Sequence, residues 1–423
     1  MSSFKYLNLF HIYEISFNLL KMDSSIPTKL LEKILNIGNV DMTSQYGKYL
    51  SYWPILLIGL IVSFIIIPLI GKLAMKFEIT YKPGTRRKNR EFDNPQKAIH
   101  EKETPALGGL AVTIPLLIAI PLFFRFDPVI SAITIALLIL IIGSVLDDVL
   151  NLPAKVQLGY QIIAASVIAF SVIDLSNISF FTNDILNLTQ STWSTNILSM
   201  PISFVFPGDL ILICWILLCI NSVKWVGGSP GLVESYSLSI FLLLFVISVR
   251  TYSLFSSTLS IFISGTLFSL LYFAFPPPKI MSGSSGKSVY GFLISILALI
   301  SGAKFSTTIM LLALPIIDAI YVIIYRYVTY KPKNPIELMK INDTSHLHHQ
   351  LLKLNFTSVQ ILLIETAVAL LVGSFAILAT GALRYFALIF GTALVIGFIV
   401  FTNYKAKTKK EKEKPSPESK YSY

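Results

Sequence analysis

The chain has 423 residues, of which 54% are hydrophobic and 13% are charged, with a formal net charge of +11 and a mean hydropathy of +0.70. Because an ordinary soluble domain carries roughly 25% charged residues, this composition excludes a soluble fold. The basic balance suits attraction to anionic lipid better than nucleic-acid binding, since lysine and arginine gather in loops between apolar runs. We therefore expect a membrane as partner and no nucleic acid.

Apolar runs of about 20 residues, the length that crosses a bilayer, recur along the chain. They predict an all-α, polytopic membrane protein with about 10 to 11 transmembrane helices. We predict an interfacial or poorly ordered extension at residues 1–50 with a short helix at Ile26–Ile37, a transmembrane domain at 51–402 and a basic cytoplasmic tail at 403–423. The predicted spans are Pro54–Met75, Ala106–Phe124, Pro128–Leu146, Lys155–Ile173, Leu210–Val223, Leu232–Val249, Tyr252–Phe275, Val289–Ser301, Thr307–Ile324, Val359–Ala379 and Leu383–Phe401.

Lysine and arginine also indicate the orientation, because short loops rich in these residues stay in the cytoplasm. The first loop, Lys76–Lys102, is strongly basic, whereas Ser176–Asp209 contains no lysine or arginine. We therefore expect a multi-pass protein of the cell membrane. Alternation of the helices places these further segments in the cytoplasm: Asp147–Ala154, Lys224–Gly231, Pro276–Lys287, Arg326–Ser358 and Lys405–Lys420.

An acidic pair, Asp147 and Asp148, ends the third predicted helix. Polar groups at membrane depth are costly and are usually functional. Adjacent carboxylates repel each other unless a cation lies between them, and hard oxygen ligands of this kind suit Mg²⁺. The alternative is a hydrated acid pair at a helix end, and the pair taken alone favours this alternative.

Three further cytoplasmic loops carry polar motifs. Residues 221–232 and 276–288 are rich in glycine, which lets backbone amides approach a phosphate closely, although each loop can also be a tight turn between helices. The segment Asp343–His349 holds three of the five histidines. Such histidines can bind a metal or a diphosphate, or can form an interfacial surface cluster.

The order of these motifs resembles the polyprenyl-phosphate N-acetylhexosamine-1-phosphate transferase superfamily, glycosyltransferase family 4, over about residues 82–352. This group includes phospho-MurNAc-pentapeptide translocases and undecaprenyl-phosphate GlcNAc-1-phosphate transferases. The matching motifs are Thr104-Pro-Ala-Leu-Gly-Gly109, Asp147-Asp148 with Lys155 and Gln161, Asp318 after Pro315, and His346-Leu-His-His349.

Two motifs match the family in frame but differ in chemistry. Where the family has Asn-x-x-Asn-x-x-Asp-Gly-x-Asp-Gly-Leu, this chain keeps Asn221 and replaces the later polar residues by Lys224, Gly227 and Pro230. Where the family has Met-Gly-Asp-x-Gly-Ser, this chain has Ser284 in place of the magnesium-binding aspartate and Lys287 in place of the final serine. Adding lysine while removing aspartate favours anion binding over cation binding.

The resemblance implies transfer of a sugar-1-phosphate from a UDP-N-acetyl sugar to a polyprenyl phosphate, with release of UMP, in cell-wall or surface-glycan biosynthesis. It also implies Mg²⁺ as cofactor, which the residues at 227 and 284 put in question, and a homodimer. If the family's residue roles apply at the matching positions, Asp147 and Asp148 are the catalytic and metal-binding candidates. The implied substrate contacts are Lys102, Lys155, Asn221, Lys224, Lys287, Asp318, His346, His348 and His349, with His100 as a weaker candidate.

Two other interpretations stay open at this point. Gly227, Pro230 and Ser284 are also consistent with a catalytically impaired relative that binds nucleotide sugar, lipid phosphate or a partner enzyme. The third interpretation is a membrane transporter, although the chain lacks the inverted repeat that many such folds carry. In an active enzyme, Lys224 and Lys287 can bind the diphosphate directly, or Glu234 can supply a substitute carboxylate.

Overall fold

A computed structural model describes residues 27–37, 46–82, 85–87, 90–91, 102–171, 177–179, 185–197, 200–302, 305–334, 337, 341, 344–379 and 383–412. Within these ranges the helices are α1 (Lys29–Leu35), α2 (Gly47–Leu50), α3 (Trp53–Lys76), α4 (Leu110–Phe123), α5 (Pro128–Leu150), α6 (Ala154–Ala169), α7 (Gly208–Trp225), α8 (Leu232–Arg250), α9 (Leu254–Ala274), α10 (Gly283–Ile300), α11 (Phe305–Leu311), α12 (Ala313–Tyr330), α13 (Leu347–Lys353), α14 (Ser358–Leu378) and α15 (Leu383–Lys412).

The helices confirm a nearly all-α, polytopic membrane protein. Nine helices among the described residues are long and apolar enough to cross a membrane, and α4 and α6 are shorter apolar helices. Each predicted span overlaps one or two of the helices. The last one continues to Lys412, past the predicted end at Phe401. The domain boundaries themselves stay a prediction.

Short antiparallel strand pairs connect some of the helices. They are β1 (Thr80–Tyr81) with β4 (Thr104–Pro105), β2 (Thr85–Arg87) with β3 (Arg90–Glu91), β5 (Asn177–Ser179) with β6 (Ile185–Asn187), and β7 (Thr189–Ile197) with β8 (Met200–Pro207). The β7–β8 hairpin leads into α7. Its threonine-rich and aromatic sequence fits a pleated ribbon, a pattern that a search for apolar runs does not detect.

Helix α10 begins at Gly283, well before the predicted start at Val289. The glycine- and serine-rich residues 283–288 are therefore helical rather than part of a loop. The reason lies in another helix: the carboxylate of Asp148 accepts the backbone N–H groups of Ser284 and Ser285, at 2.7 and 3.0 Å. These are two of the N–H groups that a helix start leaves without an intrahelical partner.

The predicted helix Thr307–Ile324 is two helices, α11 and α12, which meet at Leu312. Pro315 has no N–H to donate to the carbonyl of Leu311, one turn earlier. The buried hydroxyl of Tyr236 donates to that carbonyl instead, at 2.9 Å. In a bilayer, where water cannot satisfy the backbone, a side chain must supply the missing hydrogen bond.

The same arrangement recurs in α4, where Pro115 leaves the carbonyl of Ala111 without its helical partner. The buried hydroxyl of Ser63 on α3 donates to that carbonyl at 2.6 Å. Side chains of neighbouring helices thus repair both proline sites.

Helix α10 lies at the centre of the molecule and packs against α5, α7 and α8. Almost all its side chains are buried. Glycines allow close contact along its length: a Cβ at Gly291 would lie 2.5 Å from the Cα of Ile220, and a Cβ at Gly109 would overlap the backbone of Gly286. The start of α10 is therefore held tightly beside the ends of α5 and α7, where the predicted site residues lie.

Candidate active site

The acidic pair lies at the cytoplasmic end predicted for α5, and its two members have different partners. Asp148 binds the first backbone amides of α10, as described above. Gly283 makes this approach possible, since a Cβ at this position would lie 2.5 Å from Oδ2 of Asp148. The negative carboxylate is thus placed against the positive end of a helix dipole, an arrangement that stabilises both.

Asp147 is fully buried and belongs to a chain of hydrogen bonds between three helices. Its Oδ1 accepts a hydrogen bond from Nε2 of Gln157 on α6 at 2.9 Å. Oε1 of Gln157 in turn accepts one from Nζ of Lys224, at the end of α7, at 2.6 Å. Gln157 was not singled out from the sequence, although it lies one helical turn before Gln161 and hence on the same face of α6.

Lys287 reaches the glycine-rich loop from the second turn of α10. Its Nζ donates to the carbonyl of Gly227 at 3.3 Å. A Cβ at Gly227 would overlap the lysine side chain, so the ammonium group occupies the place where a side chain at 227 would begin. A side chain at 227 would therefore have to displace the flexible end of Lys287.

The histidine loop, His346–His349, packs against the other side of the glycine-rich loop. The ring of His348 lies directly against Gly228, where any Cβ would overlap it. His346 and His348 stack with ring centroids 5.9 Å apart, and the ring of His349 follows at 4.4 Å from that of His348. Burial, together with His349, His346 and Lys287, lowers the pKa of His348 well below its ordinary value.

Asp318 anchors the histidine loop to α12. Its Oδ2 lies 2.7 Å from Nδ1 of His346, and its Oδ1 accepts the backbone N–H of Leu347 at 2.9 Å. An aspartate at one ring nitrogen fixes the tautomer and directs the other nitrogen. Asp318 therefore positions the loop, and His348 lies against Gly228.

Glu234, considered from the sequence as a substitute carboxylate, is buried beside the start of α10. Its Oε1 accepts hydrogen bonds from the backbone N–H and the hydroxyl of Ser282, at 3.2 and 2.5 Å. These contacts hold the residue that precedes Gly283. Ser284 itself is also buried.

Three sequence candidates, Asn221, Lys155 and Lys102, remain to be placed. Nδ2 of Asn221 donates to Oε1 of Gln161 at 3.2 Å, which ties α7 to α6. Lys155 is exposed on the first turn of α6, and Lys102 is exposed beside β4. His100 and Asp343 lie outside the described residues. The structure thus brings Asp147, Asp148, Lys224, Lys287 and the three histidines together and leaves Lys102 and Lys155 at the surface.

The residues present do not form a set of ligands that suits Mg²⁺, which binds carboxylates in a strict octahedral geometry. Each carboxylate oxygen of Asp148 already accepts a backbone N–H, and Ser284 brings no charge. The resembling family has an amide at position 224 and an acid at position 227, whereas here Lys224 occupies the first and the ammonium group of Lys287 lies at the second. No group of three or more histidine, cysteine, aspartate or glutamate side chains in the part of the chain that the structure describes could hold a metal ion.

Comparisons with known proteins show which family the sequence resembles. The sequence model of glycosyl transferase family 4 matches residues 129–302, the segment that carries Asp147, Asp148, Lys224 and Lys287. Over that segment the chain is similar to this family. The match ends before Asp318 and the histidine loop.

Curated relatives extend the likeness beyond that segment. The chain is 24% identical over 303 residues to the probable undecaprenyl-phosphate N-acetylglucosaminyl 1-phosphate transferase of Bacillus subtilis (strain 168), covering 70% of this chain and 76% of that protein. It is 23% identical over 305 residues to the phospho-N-acetylmuramoyl-pentapeptide-transferase of Staphylococcus haemolyticus (strain JCSC1435), covering 69% and 88%. The resemblance to the polyprenyl-phosphate sugar-phosphate transferases is thereby confirmed.

Proposed function

We propose that the protein transfers a sugar-1-phosphate from a UDP-N-acetyl sugar to a polyprenyl phosphate in cell-wall or surface-glycan biosynthesis. The observation that carries the proposal is the convergence of Asp147, Lys224, Lys287 and His348 from four separate helices on one site. Helices α5, α7, α10 and α13 each contribute one of these side chains. The two relatives, named for transfers of this class, support the same conclusion.

The reaction needs positioning and charge neutralisation more than covalent chemistry from the protein. An oxygen of the lipid phosphate forms a bond to the β-phosphorus of the UDP-sugar. The bond from that phosphorus to the bridging oxygen breaks, and UMP leaves with the oxygen and its electron pair. Lys224 and Lys287 lie where they can offset the charge of the diphosphate, and His348 can donate or accept a hydrogen bond beside them.

Purified protein in detergent, supplied with UDP-GlcNAc and undecaprenyl phosphate, should release UMP. Asp147→Asn should lower the rate by at least about 10²-fold, the usual cost of removing one preorganised charged contact. The control is Asp127→Asn at the opposite end of the same helix, where Asp127 caps α5 by accepting the N–H of Ile130. Asparagine caps a helix as well as aspartate does, so this control should retain the natural rate.

A catalytically impaired relative is the second candidate, and the neutral residues Gly227, Pro230 and Ser284 favour it. The double variant Gly227→Asp with Ser284→Asp restores two acids that the family carries. An aspartate at 227 must displace the flexible end of Lys287, with which it can then form an ion pair. UMP release by the double variant alone would show that the natural chain binds its ligands without transferring between them.

A further inference from the structure

The site carries lysines at two positions where the resembling family carries neutral polar residues, and neutral residues where it carries acids. We propose that Lys224 and Lys287 take the place of a divalent cation, so that this site binds the diphosphate of a nucleotide sugar without magnesium. The inference rests on the proposed function, because it concerns how the same substrate is held.

The first supporting observation is the position of Lys287. Its ammonium nitrogen lies at the Gly227 carbonyl, in the space that a side chain at 227 would fill. In the resembling family an aspartate stands at this position. This chain has Gly227 where the family has aspartate, and it has Lys287 where the family has serine. The ammonium group of Lys287 therefore lies at nearly the same place as the carboxylate of the family.

Lys224 is the second positive group, and its contacts keep it beside the acidic pair. It donates to Gln157, which donates to Asp147. An ammonium group has three donors and no acceptor, so it can hold Gln157 and a phosphate oxygen at the same time. Gln157 thus links the ammonium group of Lys224 to the carboxylate of Asp147.

Asp148 provides the third observation, because its charge serves the helix rather than a metal. Both of its oxygens accept backbone amides of α10. At position 284 the resembling family has an aspartate, whereas this chain has Ser284, which is buried and neutral. A divalent cation here would meet the ammonium groups of Lys224 and Lys287, which repel it, whereas a diphosphate would be attracted by both.

Binding of UDP to the purified full-length protein in detergent tests the proposal, by titration calorimetry with either Mg²⁺ or EDTA. We expect the natural chain to bind UDP with affinities within about threefold under the two conditions. In EDTA, Lys287→Met and Lys224→Met should each weaken UDP binding by about 10-fold to 100-fold, the range for a hydrogen bond to a charged group. Uridine, which has no phosphate, should show no such loss.

Lys279→Met is the matched control, because Lys279 is an exposed lysine in the segment that precedes α10 and contacts the ring of Tyr272. It removes the same charge from the same side of the molecule and should bind UDP as the natural chain does. An equal loss with this control would overturn the proposal in favour of general charge attraction.

The metal comparison uses the natural chain and so does not depend on any variant folding. Loss of UDP binding in EDTA with recovery in Mg²⁺ would overturn this inference and leave the proposed transfer intact. An absence of UDP binding under both conditions would overturn both. Metal-independent binding that needs both lysines, together with no UMP release, would support this inference and contradict the transfer.

Discussion

Single residues at the start of α10 link helix stability to the site. Asp148 reaches from α5 to bind two amides of another helix, so it acts as a cap contributed from outside the capped helix. Such a contact ties two transmembrane helices together at the place where the substrate is proposed to bind. Its loss should therefore be visible in stability as well as in activity.

We expect Asp148→Ala to lower the free energy of unfolding by about 1.5 to 3 kcal/mol, the value of a hydrogen bond to a charged group. Asp148→Asn keeps one acceptor oxygen and should lose less. Titration of the purified protein with SDS in mixed micelles measures both. Lys155→Met, at an exposed position on the neighbouring helix, serves as the stability control. Equal stability of Asp148→Ala and the natural chain would show that the two amides find other partners.

His348 should make the protein sensitive to acid. Burial and the neighbouring cations lower the pKa of His348, so the folded protein keeps this ring neutral while the unfolded chain takes up a proton below about pH 6.5. The contribution of His348 to the free energy of unfolding is therefore complete above about pH 6.5 and declines as the pH falls. We expect thermal unfolding midpoints to fall from pH 7.5 to pH 5.5 more steeply in the natural chain than in His348→Gln. Parallel pH profiles for the two proteins would contradict this assignment.

At the residue scale, the sequence identified the acidic pair, the two lysines and the histidines, because each is an unexpected polar group next to an apolar run. It could not show that Asp148 binds amides of a distant segment or that Lys287 fills the space above Gly227. Such contacts depend on the packing of helices that are far apart in sequence. Gln157 was missed because a single amide on a helix has no pattern of its own.

At the scale of elements, the close packing of α4 against the start of α10 fixes the site geometry. The backbone N–H groups of Gly108 and Gly109 donate to the carbonyls of Met281 and Ser282, both at 2.9 Å. A side chain at 109 would overlap the backbone of Gly286. These contacts set the position of residues 281–286 and, through them, of Lys287.

We expect Gly109→Ala to cost about 1 to 3 kcal/mol, because an extra methyl group in a fully packed contact forces the backbone apart. It should also weaken UDP binding, since α10 carries Lys287. Gly159→Ala on α6 is the matched control, because no atom lies within 4 Å of a Cβ built there. That control should be neutral or more stable by up to about 1 kcal/mol, the helix preference of alanine over glycine. Similar losses in both variants would contradict the packing argument.

Elements were predictable wherever hydrophobicity alone decided them, so every predicted span has its helix. Helix boundaries that depend on polar contacts were not predictable, as α10 shows. Its first turn consists of serine and glycine, which favour a loop when considered locally. The break between α11 and α12 was indicated by Pro315, but the hydroxyl of Tyr236 that makes the break tolerable comes from a distant helix. Local sequence could not reveal that partner.

At the scale of the whole molecule, α7 connects the β7–β8 hairpin to the candidate site. Gly208 begins the helix directly after the β7–β8 hairpin, and Lys224 lies at its other end, in the site. A helix of 18 residues spans about 27 Å, close to the hydrocarbon thickness of a bilayer. We therefore expect the hairpin and the site to lie on opposite faces of the membrane, and the charge distribution predicts that the site faces the cytoplasm.

This orientation can be tested by labelling single cysteines with a membrane-impermeant maleimide. The background is Cys214→Ala with Cys219→Ala, which removes both natural thiols. We expect Ser194→Cys, at an exposed position in the hairpin, to react in intact cells, and Lys279→Cys to react only after the membrane is permeabilised. The reverse pattern would place the proposed diphosphate site outside the cell. Because UDP-sugars are made in the cytoplasm, that result would also remove the proposed transfer from consideration, whereas the expected pattern keeps the lysines on the side where the substrate is available.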